Sequence, residues 1–487
     1  MAKVTAVIDI GSNSARMAIF EKTSHLGFHL LYEGKSKVRI SQNTYAHNGY
    51  LQETPMQRAI AALKDFLYIA KLHKARKILC VATSAVRDAP NKAVFLKLAR
   101  EIGLKIKVIS GESEAYFGAI AALNLLPQKS GLTIDIGGGS TELALIENQK
   151  IIDKISLNLG TIRLKELFLD KGDIKGAKDF IKHILQDLPQ QFCHTHIFGI
   201  GGSARAISKA VQEHIDYPLD TLHAFSYNFI KHKDFIKKLY LAEADELLKL
   251  GIKEDRLDSI KGGALIFHTL LNHFSAKEVI TSGVGVREGV FLHHLLRNEN
   301  GHFPHNFNPS VRSLKDRFLK DSALTQAKIK KYLANKLIDA TQTHNLIPND
   351  YKNYLSISTE LSNIGISLNF YEKNRHTNYI LLNGLNYGLT HKDRLIISTL
   401  ARFANKKIPE SLPFLGLLGE LNPLRILGFF MSICEILSKN PLPKEFKFNC
   451  IKESNGYALE IYHPALSYLA KENLNKLNLP EPFTRLA

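Results

Sequence analysis

Cysteine is scarce. The chain holds four, Cys80, Cys193, Cys434 and Cys450, among 487 residues, and none stands in a CxxC pair. That spacing excludes a disulfide framework and a cysteine zinc site, and reads as the reduced thiols of a cytosolic protein. Long apolar runs are also missing. Each is broken by Lys, Asn or Pro well short of the ~18 residues that a membrane helix requires, so no membrane segment is expected. The opening stretch MAKVTAVIDIGSN has too short an apolar core for a signal peptide and runs straight into a turn. There is no GxxxxGK[ST] pattern, which argues against a P-loop nucleotidase. No zinc finger or recognition helix appears, so nucleic acid is not an expected partner.

What is present is an ordinary globular balance, 45% hydrophobic and 23% charged residues. The length suits about three or four domains at roughly 100–200 residues each. Lys and Arg number 64 against 46 Asp and Glu, a net charge of +18. Such a field concentrates polyanions without selecting among nucleic acid, polyphosphate, nucleotides and anionic lipid.

The first half alternates strand-like and helix-like segments, as an α/β protein does. Strands are predicted at Lys3–Ile10, Ala15–Phe20, His25–Tyr32, Lys77–Ala82, Lys105–Ile109, Gly131–Ile136, Glu142–Glu147, Ile151–Leu157, His196–Phe198 and Glu278–Ser282. Helices are predicted at Pro55–His73, Asn91–Ile102 and Glu112–Leu125. Beyond Pro309 the pattern turns helical, with Val311–Leu346 and Asp350–Gly365 as the first two helices. Lys328, Lys330, Lys331 and Lys336 read as a solvated helix face or a polyphosphate track. A linker at 440–443 precedes a hairpin, Phe446–Ile451 and Gly456–Tyr462. The expected domains are 1–126, 127–309, 310–439 and 440–487. The helix at about 286–298 is expected to pack back on the first.

An internal repeat carries the functional signal. Asp9–Glu21 reads DIGSNSARMAIFE and Asp135–Glu147 reads DIGGGSTELALIE, and six of the thirteen aligned positions are identical. Each copy is an apolar strand, a Gly/Ser turn and a second apolar strand, and a domain-sized stretch separates them. Glycine lets a phosphate approach turn amides, successive amides make an anion-binding concavity, and hydroxyls add donors. Aspartate repels phosphate, so at the strand end it implies a bridging Mg²⁺, another divalent cation or an activated water. Two such hairpins face to face would clamp phosphates. A third cluster, Gly199-Ile-Gly201-Gly202-Ser203-Ala204, follows a strand and opens a helix. It fits GxGxxA, and equally a phosphate loop at a helix N-terminus.

These turns, with Ala82-Thr-Ser-Ala-Val-Arg87-Asp-Ala89, Ile109-Ser-Gly-Glu-Ser-Glu114-Ala115, Leu159-Gly-Thr-Ile-Arg163 and Ser282-Gly-Val-Gly-Val-Arg287-Glu-Gly289, resemble the exopolyphosphatase and guanosine pentaphosphate phosphohydrolase family of the actin, sugar-kinase and Hsp70 superfamily. The resemblance implies two actin-like, ribonuclease H-like domains facing a cleft, then a helical HD-like domain and a small α+β piece. It implies release of terminal phosphate from polyphosphate or guanosine pentaphosphate, in a cytoplasmic homodimer tied to the stringent response. Alternatives are an ATP-dependent kinase or ATPase of the superfamily, or a non-catalytic polyanion-binding protein.

Residue by residue, Glu114 matches the family's catalytic base, while Ser113 replaces the acid that commonly precedes it. Asp135, Glu142 and, as a supporting carboxylate, Asp9 are the expected holders of Mg²⁺. Ser12, Asn13, Ser14, Gly137, Gly138, Gly139 and Ser140 are expected to cradle the terminal phosphate, with Gly201, Gly202 and Ser203 as a further phosphate loop. Arg16 and Lys35 are candidate phosphate contacts. Arg87 either stabilises the leaving phosphate or sits in an ion pair, with Asp88 or elsewhere. In the helical part Ser362-Asn363 stands where related chains carry a His/acid metal pair, so no metal chemistry is expected there.

Overall fold

The computed structural model describes residues 4–404, 406–412 and 414–487. It divides into two compact units, Met1–Phe307 and Asn308–Ala487.

The first unit holds two sheets. In the first sheet β1 (Val4–Ile10), β2 (Ala15–Lys22), β3 (Phe28–Ser36), β4 (Lys77–Ala82) and β5 (Lys107–Val108) run in the order β3-β2-β1-β4-β5. β1–β2–β3 is an antiparallel meander, and β1, β4 and β5 are parallel. The second sheet is built alike. β6 (Gly131–Ile136), β7 (Thr141–Glu147) and β8 (Lys150–Leu157) form the meander, and β9 (His196–Ile200) and β11 (Glu278–Thr281) extend it in parallel. β10 (Ser226–Asn228) closes the edge, so the order is β10-β11-β9-β6-β7-β8. Shared strand order makes the sequence repeat a repeat of folds, and both domains are actin-like.

The central strands are apolar on both faces, as sheets covered by helices on both sides require. In β1, Ala6, Val7, Ile8 and Ile10 are fully buried. The helix Val286–Leu295 follows the second sheet in the chain but covers the first domain. Phe291 stacks on Phe20 with centroids 4.3 Å apart and lies 5.0 Å from Phe28. A Cβ at Gly289 would collide with the Phe117 carbonyl, so glycine permits the helix Gly111–Leu125 to come this close.

The second unit is helical, with a sheet of β12 (Lys447–Glu453), β13 (Gly456–Tyr462) and β14 (Phe483–Leu486) at its chain end. Several sequence expectations are adjusted here. β3 begins at Phe28 because a turn closes before it, Thr23 N–H donating to the Gly27 carbonyl at 2.8 Å. The predicted helix Val311–Leu346 is two, Pro309–Phe318 and Asp321–Thr341, separated by extended backbone at Leu319 and Lys320. Buried Leu319 anchors that break. β10 and β14 are too short to leave a sequence pattern. Lys3 of the first predicted strand lies outside the described residues.

Lys330 is not on a solvated face. Its ammonium is buried, paired with Glu435, and donates to Ser362 Oγ at 2.9 Å. Glu435 also meets Lys373 at 3.0 Å and Lys439 at 3.4 Å. Lys373 donates to Asn363 Oδ1 at 3.2 Å. Burial alone would raise the Glu435 carboxyl, but Lys330 and Lys373 hold it down at about 2. A lysine–glutamate network centred on buried Lys330 and Glu435 thus adjoins the Ser362-Asn363 position.

Candidate active site

The two repeated turns meet. Gly11 N–H donates to the Ser14 carbonyl at 3.1 Å, and Gly137 N–H donates to the Ser140 carbonyl at 2.9 Å. A Cβ on Gly138 would come within 2.7 Å of the Ser12 Cβ, so the tips touch. Between them opens a cavity of about 150 Å³. Its walls include Asp9, Ser12, Asn13, Ser14, Arg16, Glu114, Asp135, Gly137, Gly138, Gly201, Gly202 and Ser203.

The repeat also explains an asymmetry. In register, Asp9 stands opposite Arg16 and Asp135 opposite Glu142. Directly opposed residues share a sheet face. The same place in the two hairpins therefore carries a cation on one side and an acid on the other. Both aspartates are half-buried at the cavity wall. Burial raises Asp9, with Arg287 and Arg16 opposing. Burial raises Asp135 to about 6, with Arg205 opposing and Asp9 adding to the rise. Asp9 Oδ1 is buried with no hydrogen-bond partner among the described residues.

The third glycine cluster opens the helix Gly201–His214 at the cavity. Gly201 has φ +80, and a Cβ there would collide with Asp135 Oδ1, so only glycine fits beside that carboxylate. The free amides of the first turn face the cavity with the positive end of the helix dipole.

Glu114 enters from the first turn of the helix Gly111–Leu125. Burial pushes its carboxyl well up, and Glu142, Asp9 and Asp135 add to the rise, with Arg87 opposing. Arg87 Nη1 lies 3.3 Å from Glu114 Oε2, and its Nε lies 3.2 Å from Asp88 Oδ1. Arg87 is thus ion-paired on both sides. Ser113, in the place of the family's acid, shares the helix cap: its N–H donates to Ser110 Oγ at 3.2 Å.

Five predicted residues stand outside the cavity lining: Lys35, Arg87, Gly139, Ser140 and Glu142. The Gly139 carbonyl accepts from Arg163 Nε at 3.1 Å. Glu142 accepts from Ser156 Oγ at 2.8 Å. Burial raises Glu142 to about 8 against the hydrogen bonds of Ser140 and Ser156.

Sequence reasoning missed Arg205, Arg256 and Arg287, which line the cavity with Arg16. Arg16 is lowered to about 10, first by burial and then by repulsion from Arg205, Arg287 and Arg256. Arg205 donates to the Gly283 carbonyl at 2.9 Å, and Arg287 pairs with Glu33 at 2.8 Å. Arg287 had a signal, since it lies within Ser282–Gly289. Arg205 follows the glycine cluster by one residue. Arg256 had none.

Residues 18–298 match the model of the Ppx/GppA phosphatase family, and residues 308–479 match that of Ppx/GppA phosphatase domain III. The chain belongs to the Ppx/GppA phosphatase family. A bifunctional 3-dehydroquinate synthase/phosphatase of Fusobacterium nucleatum is 30% identical over 298 residues, which are 57% of this chain and 44% of that relative. This chain therefore spans less than half of that protein. The crystal structure of the Aquifex aeolicus Ppx/GppA family member covers 61% of this chain and 99% of its own, at 27% identity and a TM-score of 0.52. An exopolyphosphatase of Cytophaga hutchinsonii shares the fold, at 24% identity and a TM-score of 0.56 over 60% of this chain and 98% of its own. Among the described residues no helix of this Ppx/GppA member is long and apolar enough to cross a membrane.

Proposed function

We propose that the chain is a phosphoanhydride hydrolase that releases the terminal phosphate of inorganic polyphosphate, of guanosine pentaphosphate, or of both. One observation carries the reading. Four guanidiniums repel one another around a small cavity between two phosphate-type turns. Glu33, Glu288, Asp9 and Asp135 offset part of that charge, and a multiply charged anion between the turns would offset more.

A divalent cation fits the other wall. Asp9 and Asp135 are oxygen donors that repel each other, and Asp9 Oδ1 has no partner among the described residues. Hard oxygen ligands suit Mg²⁺, which keeps waters and shares substrate phosphates. Among the described residues no three His, Cys, Asp or Glu side chains group closely enough to hold an ion unaided. Asp9 and Asp135 would therefore hold it together with phosphate oxygens. When bound, the cation neutralises phosphate charge and fixes the terminal unit for in-line attack.

The protein's own residues do the rest. Hydroxyls and amides of Ser12–Ser14, Gly137–Gly138 and Gly201–Ser203 hold the terminal phosphate. Arg16, Arg205, Arg256 and Arg287 balance the charge. Glu114 orients a water and takes its proton, and Arg87 keeps that carboxyl ionisable. The chain works in the cytoplasm as a homodimer, as its family resemblance implies. The test measures phosphate release from long polyphosphate and from guanosine pentaphosphate side by side. Release from either supports the reading, and release from neither overturns it in favour of a polyanion-binding role.

A further inference from the structure

Three basic side chains lead out of the cleft in one row. Lys35 stands opposite cleft-lining Arg16 in the β2–β3 register. Lys37 and Arg39 continue it on alternate positions, while Val38 between them and Ile40 after them are fully buried. The segment is pinned to the first phosphate turn. Arg39 N–H donates to the Asn13 carbonyl at 2.9 Å, and Ser41 N–H donates to the Ser12 carbonyl at 3.2 Å. Arg39 has φ 45, a left-handed backbone that disfavours a residue with a Cβ. Such strain gathers at functional sites.

Across the cleft mouth the row meets acids of the second domain. Lys35 Nζ lies 3.2 Å from Asp255 Oδ2, Lys37 Nζ donates to the Asp255 carbonyl at 2.9 Å, and Arg39 Nη2 lies 3.2 Å from Asp258 Oδ2. Asp255 and Asp258 flank Arg256, which lines the cavity. The ion-pairing side chains are 32–48% exposed. Pairs so wet are weak and exchange readily. A phosphate chain, with a charge on every unit, displaces them.

We infer that Lys35, Lys37 and Arg39 form the subsite for the non-reacting units of an inorganic phosphate chain, and that Asp255 and Asp258 occupy it until substrate arrives. With its end in the cavity, the chain runs outward from Arg16 along this row. Guanosine pentaphosphate, whose phosphates soon give way to a nucleoside, leaves most of the row unused. The subsite thus makes long polyphosphate the favoured substrate, and it rests on the phosphoanhydride reading of the cleft.

The experiment compares the full chain with Lys37→Gln/Arg39→Gln and Asp255→Asn/Asp258→Asn. KM is measured on tripolyphosphate and on long polyphosphate over a range of salt. Neutralising the row should raise the long-chain KM several-fold, and more than the short-chain KM. It should flatten the slope of log KM against log salt by about 1.4, at roughly 0.7 per cation on a single-stranded polyanion. Removing the acids should lower the long-chain KM. Equal changes on both lengths with an unmoved slope overturn the subsite. If Lys37→Gln/Arg39→Gln does not fold, the acid pair decides, and an unlowered long-chain KM overturns it. If the unmodified protein cleaves neither substrate, the cleft reading falls and the subsite with it. If it cleaves both and only the salt and length effects fail, the subsite alone falls.

Discussion

Arg87→Gln separates the two roles open to this arginine. Arg87 is the cation that opposes the rise of the Glu114 carboxyl, 3.3 Å away. An opposite charge this close lowers a carboxyl by about 1–3 units. Glutamine keeps a polar side chain but loses the charge, and it stops short of the Nη1 that now reaches the Ile109 carbonyl at 3.4 Å. Glu114 acts as a base only when ionised, so the rate rises with pH through its titration. Removing Arg87 should therefore move the ascending limb of kcat/KM upward in pH by about 1–3 units. Below that limb the rate falls about 10- to 1000-fold, and above it most of the rate returns. The assay is phosphate release at low substrate across the pH range, at constant ionic strength, where kcat/KM reports the free protein. A loss that is uniform with pH would refute the reasoning. Arg87 would then act on the leaving phosphate.

Glu114→Gln should lower turnover by ~10²–10⁴-fold with substrate binding nearly retained, because the amide accepts no proton. Phosphate release and equilibrium binding check it. A chelator should stop the unmodified protein and Mg²⁺ restore it, and Asp135→Ala should shift the Mg²⁺ titration to higher concentration. Glu435→Gln should destabilise the second unit by about 3–5 kcal/mol, since it strands buried Lys330, as urea unfolding would show. Glu435 is depressed from 4.5 to about 2 by its lysines, so its stabilisation is complete above about pH 4.5 and is lost as pH falls toward 2. Acid unfolding of the Glu435→Gln protein should lack that contribution.

Much of the site was legible because it repeats. Asp9 and Asp135 close equivalent strands, and a strand–turn–strand pattern with glycine in the turn dictates both the hairpin and its exposed amides. The glycine cluster at 199–204 was legible as a helix start. Arg256 was not, because it reaches the cavity from a short turn at Glu254–Arg256 whose place is set by tertiary packing. Glu142 was read as a metal holder. Residue type alone did not reveal the Ser156 and Ser140 hydroxyls that engage it. Lys330 shows the same limit: a lysine on a helix reads as solvated until the partner that buries it, Glu435 over a hundred residues on, is known.

The helix Val286–Leu295 has a consequence for dissecting the molecule. The chain passes from the first domain to the second before β6 and returns after β11, so two crossings join the lobes. A single cut yields no intact half. A fragment ending near residue 126 would leave Phe20 and Phe28 without Phe291 and would expose the face of the helix Gly111–Leu125 that Gly289 fits against. Expressed alone, it should aggregate, and co-expression with a peptide spanning Val286–Leu295 should restore its solubility. The same double crossing limits how the lobes can open. Two tethers resist a free swivel better than one, so the two phosphate turns are expected to keep facing each other when the lobes move.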